Sequence, residues 1–207
     1  MSAPIAYLKG EFIPYSEAVL PVYDASVVLG ATVTETTRTF NGKPFKLGEH
    51  VDRLYRSMKY ARFKIQISPK EMIDITMKVI DHNLALLPTG KELGVIHFVT
   101  AGTFSIYAGT SAGTVEMMPT VCVHTFELPL YLWVDGVRNG VHAVTPSNRH
   151  IPPQCIDPKM KNRSRMHYWL AEKEARMVDP KAAVLLLDLE GNVTEFSGGN
   201  ILIVQNG

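Results

Sequence analysis

Lys159 and Lys161 close a proline-rich loop that runs through Pro146, Pro152, Pro153 and Pro158, and Arg163 and Arg165 follow directly. Crowded positive charge disfavours the ammonium form of a lysine, and burial does the same. A neutral lysine attacks a carbonyl carbon and forms a Schiff base. A basic cluster of this kind also reads as a solvated face, so residue types alone leave both readings open. Other chemistries find less support. Seven histidines are scattered without an HExxH or other ligand spacing, which argues against a metal site. No GxSxG is present, and Phe196-Ser197-Gly198-Gly199 reads only as a turn. Cys122 and Cys155 form no CxxC. The glycine- and serine-rich stretch 101–113 lacks the GK[ST] of a phosphate loop and the GxGxxG of a dinucleotide loop, so it reads as a mobile surface loop.

The elements that must carry these residues follow from periodicity. Tyr7 to Ile13 reads as two short strands around Lys9-Gly10. Thr37–Phe40 and Lys43–Leu47 form a hairpin around Asn41-Gly42, a pair suited to the positive φ angles of a type I′ turn. From about Glu49 the period becomes helical, with Val51, Leu54, Tyr55, Met58 and Ala61 on one face. Ser68-Pro69-Lys70-Glu71 is a capping box that starts a second helix, buried through Met72, Ile75 and Val79. Leu93–Thr100 and Thr120–Glu127 are apolar runs of strand length. Beyond Leu128-Pro129 the pattern predicts short strands with turns at Asp135-Gly136 and Asn139-Gly140. A helix over 165–177 follows, with apolar residues on two sides and hence expected to be covered on both. Strands at 182–189, 193–195 and 201–204 complete the reading. The expected division is an N-terminal α/β domain over 1–127 and a second domain over 128–207.

Composition bounds the function. The 207 residues contain 46% hydrophobic and 20% charged residues, a globular balance. A net charge of +1 removes the electrostatic case for nucleic acid or an anionic membrane. The longest apolar stretch, Ala182–Leu187, is far short of the ~20 residues that cross a bilayer, and Met1-Ser2-Ala3-Pro4 opens no signal peptide. The expectation is a cytoplasmic protein with reduced cysteines.

Three motifs carry a resemblance. Glu49-His50-Val51-Asp52-Arg53-Leu54-Tyr55, after Phe40-Asn41-Gly42-Lys43-Pro44-Phe45, resembles the HxxRL segment of class IV aminotransferases. Lys161-Asn162-Arg163-Ser164-Arg165-Met166-His167 with Leu170-Ala171-Glu172-Lys173-Glu174-Ala175 looks like their catalytic-lysine loop and following helix. Thr194-Glu195-Phe196-Ser197-Gly198-Gly199-Asn200 is similar to their TEGxxxN segment. The family holds branched-chain and D-amino-acid aminotransferases, (R)-selective amine transaminases and aminodeoxychorismate lyases.

The resemblance implies the α/β (α+β) architecture of PLP fold type IV: an N-terminal α/β sandwich and a C-terminal pseudo-barrel domain, here incomplete. It implies pyridoxal 5'-phosphate as cofactor, held by Lys161 through a Schiff base, with Lys159 as the competing lysine. Arg53 would bind the cofactor phosphate, Glu195 the pyridine nitrogen, and Ser197, Gly198 and Gly199 would add contacts to the cofactor. The implied activity moves an amino group from a small-molecule amino donor to a 2-oxo acid in a cytoplasmic homodimer. An aminodeoxychorismate lyase-like elimination of pyruvate and a non-catalytic fragment or paralogue are the alternatives.

Two departures stand out. The TRG arginine of D-amino-acid aminotransferases falls at Ala101, and the tyrosine of their VYE segment falls at Thr34. Arg38 is the candidate substitute anion binder, against the plainer reading of an exposed hairpin arginine. The chain also stops after Ile201–Asn206, where family members continue, so truncation at Gly207 is expected.

Overall fold

Two tight turns and one row of inward-facing residues organise the larger part of the chain in a computed structural model, which describes residues 3–109 and 118–206. Lys9 and Gly10 have φ of 53° and 100°, and Asn41 and Gly42 have 49° and 74°. Both pairs therefore reverse the chain through turns that require positive φ twice in succession. The first joins β1 (Ile5–Leu8) to β2 (Glu11–Pro14). The second joins β3 (Thr32–Phe40) to β4, which covers only Lys43–Pro44. The expected longer β4 ends early because Lys46 takes a φ of 48°, and α2 (Leu47–Ala61) starts directly after it.

With α1 (Ala25–Leu29), α3 (Pro69–Leu84), β5 (Leu93–Thr100), the single turn α4 (Ser105–Ala108) and β6 (Val121–Glu127), these elements make an antiparallel sheet in the order β2-β1-β6-β5-β3-β4. The capping box of α3 forms as expected: Ser68 accepts from the Glu71 amide and Glu71 accepts from the Ser68 amide. Val51, Leu54 and Met58 of α2 and Met72 and Val79 of α3 pack against Tyr7, Val33, Val99, Val121 and Val123 of the sheet. Each such side chain contributes roughly 1.5–3 kcal/mol on leaving water. Ile75 is only half buried. In the stretch expected to be a mobile loop, Gly102 is buried and its carbonyl accepts from Ala25. A Cβ there would come within 1.9 Å of the Met118 carbonyl oxygen, so close backbone approach, not mobility, explains this glycine. Residues 110–113 of that stretch lie outside the described residues.

The helix-facing row of the sheet is not wholly apolar. Glu35 of β3 lies opposite His97 of β5, and His97 lies opposite Val123 of β6. Both Glu35 and His97 are buried. Thr76 of α3 gives its hydroxyl hydrogen to the Met72 carbonyl and takes one from His97 Nε2 at 2.8 Å. That assigns the Nε2–H tautomer and leaves buried Nδ1 without a hydrogen-bond partner.

The chain groups into two compact units, residues 1–128 with 159–164, and residues 129–158 with 165–207. The segment 159–164 thus belongs with the first sheet, a return that a single division near 128 does not contain. In the second unit, β7 (Ala143–Val144) pairs in parallel with β8 (Ala183–Leu187), which pairs antiparallel with β9 (Val193–Phe196). Tyr168, Ala171 and Ala175 of α6 (Met166–Val178) pack on Val184 and Leu186 of β8. Three expectations fail in this unit. Residues 130–139 form a 3₁₀ turn and α5 (Val134–Asn139) instead of strands. Gly136 sits inside α5, where a Cβ would press on Val141, and Gly140 ends the helix. The second side of α6 is open, with Met166, Trp169 and Leu170 exposed, while the Tyr168, Ala171 and Ala175 side is the one covered by the sheet. Ile201–Val204 forms no strand and is exposed apart from half-buried Ile201, since no strand among the described residues lies beside it. No helix among the described residues is long and apolar enough to cross a membrane.

Burial pushes the His97 imidazole down to about 4, so the ring is neutral in the folded protein and protonates on unfolding. The unfolded chain then binds the extra proton between the ordinary histidine value near 6.5 and about 4. Stability is full above that window and falls as pH drops through it, by up to about 3 kcal/mol. Denaturant unfolding from pH 7.5 to 4.5 should show this loss, and His97→Gln should flatten the slope between pH 6.5 and 5.

Candidate functional site

β3 positions two of the expected residues. Its free edge near Thr32–Thr34 is covered by the returning segment: the Thr34 amide donates to the Lys161 carbonyl and the Arg163 amide to the Thr32 carbonyl, both at 2.9 Å. Asn162 bridges Val33 in antiparallel sense. From α2, the buried Ser57 hydroxyl accepts the Lys161 amide at 3.1 Å. Met160 packs into the core beside it, and Ser164 Oγ donates to the Gly30 carbonyl. Lys161 is therefore fixed through its backbone by a strand and a helix. Its side chain is half buried, whereas Lys159 is exposed.

Arg53 sits one helical turn before Ser57 on α2. Its Nε and Nη2 contact the two Glu35 carboxylate oxygens at 2.5 and 2.6 Å. Glu35 has no exposed side-chain surface, while Arg53 is 45% exposed. Glu35 Oε1 also accepts from the Thr36 amide and meets His50 Nδ1 at 3.1 Å. Burial raises the Glu35 pKa, but the hydrogen bonds from Arg53, Thr36 and His50 outweigh it and hold the carboxyl below its ordinary range. The same contact holds the Arg53 guanidinium above its ordinary value, against the opposing effect of its partial burial. An arginine has five N–H donors, and Glu35 takes two. Nη1 makes no hydrogen bond among the described residues, so an end-on anion site stays open.

The other expected residues lie in the second unit. Glu195 is on β9 with its side chain 45% exposed. Its Oε1 accepts a short hydrogen bond from the Tyr168 hydroxyl and meets His150 Nε2 at 2.9 Å. Oε2 accepts nothing among the described residues. Ser197, Gly198 and Gly199 form the turn after β9. The Ser197 amide donates to the Val184 carbonyl, and its own carbonyl accepts from Arg165 Nη2 at 2.6 Å. Arg165 also stacks over the Tyr168 ring. Burial and the Glu195 contact together push the Tyr168 phenol well above the usual tyrosine range. A cavity of about 750 Å³ opens beside Glu195 and His150.

Arg38, the candidate substitute anion binder, is half buried, stacks on Phe40 and bonds the Thr39 carbonyl through Nε. Glu35, Ser57, His150 and Tyr168 escaped the sequence reading. Glu35 was visible as a lone charge at an inward-facing strand position, a signal of a buried pair. Ser57 could have been marked as a small polar residue one turn after Arg53. His150 and Tyr168 carried no local signal. No group of three or more metal-ligating side chains occurs among the described residues.

Residues 32–207 match the sequence model of a family described as amino-transferase class IV. A protein of Methanocaldococcus jannaschii, provisionally named a branched-chain-amino-acid aminotransferase, is 31% identical over 97% of the chain and 65% of its own length. A D-alanine aminotransferase of Staphylococcus aureus is 31% identical over 67% of the chain and 46% of its own length. A crystal structure of the T.th. branched-chain amino acid aminotransferase with pyridoxamine 5'-phosphate superposes with a TM-score of 0.80 at 28% identity. That match covers 96% of the chain and 64% of the solved one. The chain thus spans less than two thirds of the length of these relatives.

Ser57→Ala removes the acceptor of the Lys161 amide. Leaving that donor unpaired should cost about 1–2 kcal/mol. Denaturant melts should show the loss, and hydrogen exchange of 159–164 should accelerate while that of α3 stays unchanged.

Proposed function

Because the chain belongs to the amino-transferase class IV family, we propose that it is a PLP-dependent aminotransferase moving an amino group between an amino acid, or an amine, and a 2-oxo acid. One observation carries the reading: Lys161 is clamped by its backbone between β3 and Ser57 of α2, and Ser57 lies one helical turn after an arginine that keeps donors for an anion. The residues fit the cofactor. Arg53 offers its unused N–H groups to a phosphate, a geometry to which guanidinium is suited. Glu195 offers Oε2 to a protonated ring nitrogen. When bound, pyridoxal 5'-phosphate supplies an aldehyde carbon and an electron-accepting ring.

The chain's own residues then divide the work. Lys161 Nζ would hold the cofactor through its aldehyde carbon and would take up and return the proton at the substrate α-carbon. Glu195, fixed at Oε1 by Tyr168 and His150, would offer Oε2 to keep the ring nitrogen protonated. The turn Ser197–Gly199 supplies further contacts through the Ser197 hydroxyl. The two free cysteines support a reducing, cytoplasmic setting. Family membership and the exposed Val19, Val22, Val27 and Leu29 around α1 support a homodimer. No observation specifically favours pyruvate elimination or a non-catalytic role.

Full-length protein mixed with pyridoxal 5'-phosphate should turn yellow. Borohydride should fix a pyridoxyl adduct that peptide mass spectrometry maps to Lys161. Lys161→Ala should lose colour and turnover, and Lys159→Ala should keep both. Glu195→Gln should keep colour and slow turnover by roughly 100-fold. An active Lys161→Ala enzyme, or an adduct on Lys159, would overturn the assignment.

A further inference from the structure

A carboxylate without exposed surface, held by three residues, is more than an ion pair needs for stability. Replacing a buried pair by apolar side chains is often neutral or stabilising, so the fold alone gives weak reason for Glu35. What Glu35 does control is the plane of the Arg53 guanidinium. It grips Arg53 side-on, through Nε and Nη2, and so fixes both the direction in which Nη1 points and the rotation about the last side-chain bonds. Glu35 itself cannot swing: the Thr36 amide and the His50 ring hold Oε1, and the sheet encloses the rest. The lowered Glu35 pKa agrees with a permanently charged anchor. The neighbouring β3 residue, Thr34, holds Lys161, so one strand sets the backbone of the lysine and the head group of the arginine.

We propose that Glu35 is a positioning residue that orients Arg53 toward the phosphate of the bound cofactor, with His50 and the Thr36 amide steadying Glu35. This rests on the reading of Arg53 as the phosphate holder. A negative charge beside an anion site weakens it by repulsion, so the gain must come from orientation: a pre-set donor loses less freedom when the anion arrives. The two effects have opposite signs, and measurement separates them.

The test compares pyridoxal 5'-phosphate with pyridoxal, which has the aldehyde and ring but no phosphate. Each is titrated into the full chain and followed by Schiff-base absorbance, and the ratio of the two dissociation constants isolates the phosphate contribution. Glu35→Gln removes the charge, and Glu35→Asp keeps it but draws it back by one methylene. The aspartate is the companion variant for the case in which the amide unfolds the sheet; thermal melts monitor folding. In both variants the preference for the phosphate ester should fall by about tenfold, as when an orienting partner of a ligand-binding group is lost. Pyridoxal affinity should stay near wild type. Equal weakening of both aldehydes would mark a merely structural role and overturn the proposal. An unchanged or increased phosphate preference would overturn it too, the increase showing that repulsion dominates. If wild-type protein forms no Schiff base with either aldehyde, the cofactor reading falls and this inference with it. If the wild type prefers the phosphate ester and the variants do so to the same degree, only the role of Glu35 falls.

Discussion

A carboxylate can stay charged out of contact with water only where fixed donors replace the solvent it has lost. Glu35 meets that condition with the Arg53 fork, the Thr36 amide and the His50 ring. The requirement works in both directions. The donors must come from α2 and from β3 itself, so the helix can pack on the sheet in only one register without stranding a charge. Val51, Leu54 and Met58 supply the apolar adhesion of α2, but adhesion is non-directional. The Glu35–Arg53 contact is directional, and it sets which residues of α2 face which residues of β3.

Once that register is set, Ser57 stands one turn beyond Arg53 and meets the amide of Lys161. The returning segment docks on the strand edge through backbone hydrogen bonds to Thr32 and Thr34, and Met160 and Ser164 add side-chain contacts to the core and to the Gly30 carbonyl. In the second unit the same logic recurs on a smaller scale. Tyr168 and His150 occupy one oxygen of Glu195 and leave the other open. Packing of Tyr168 under β8 gives that hydroxyl a fixed position.

Local signals read well where local physics decides. Asn41-Gly42 and Lys9-Gly10 make turns because their backbones tolerate positive φ. Ser68 to Glu71 starts a helix because the cap closes within four residues. Leu93–Thr100 is a strand over the very span its apolar run marks out. The failures fall where a partner decides. Gly136 and Gly140 carry the same turn signal, yet the first packs inside a helix and only the second ends one. Ile201–Val204 has strand composition but no neighbouring strand among the described residues. Trp169 and Leu170 look like core and lie open, because helical periodicity shows that a face is apolar without showing what covers it.

The order of motifs along the chain was enough to identify the family, to nominate Lys161 (with Lys159 competing), Arg53 and Glu195 as candidates, and to mark most elements that carry them. Those features are local in sequence, and spacing alone expresses them. Tertiary structure decided that Glu35 is the partner of Arg53, that Ser57 and Thr34 hold Lys161, and that His150 and Tyr168 hold Glu195. These pairings join residues from 18 to more than 100 positions apart. Such contacts arise only when the strands choose a register and the helices settle on them, and no window of neighbouring residues contains that choice.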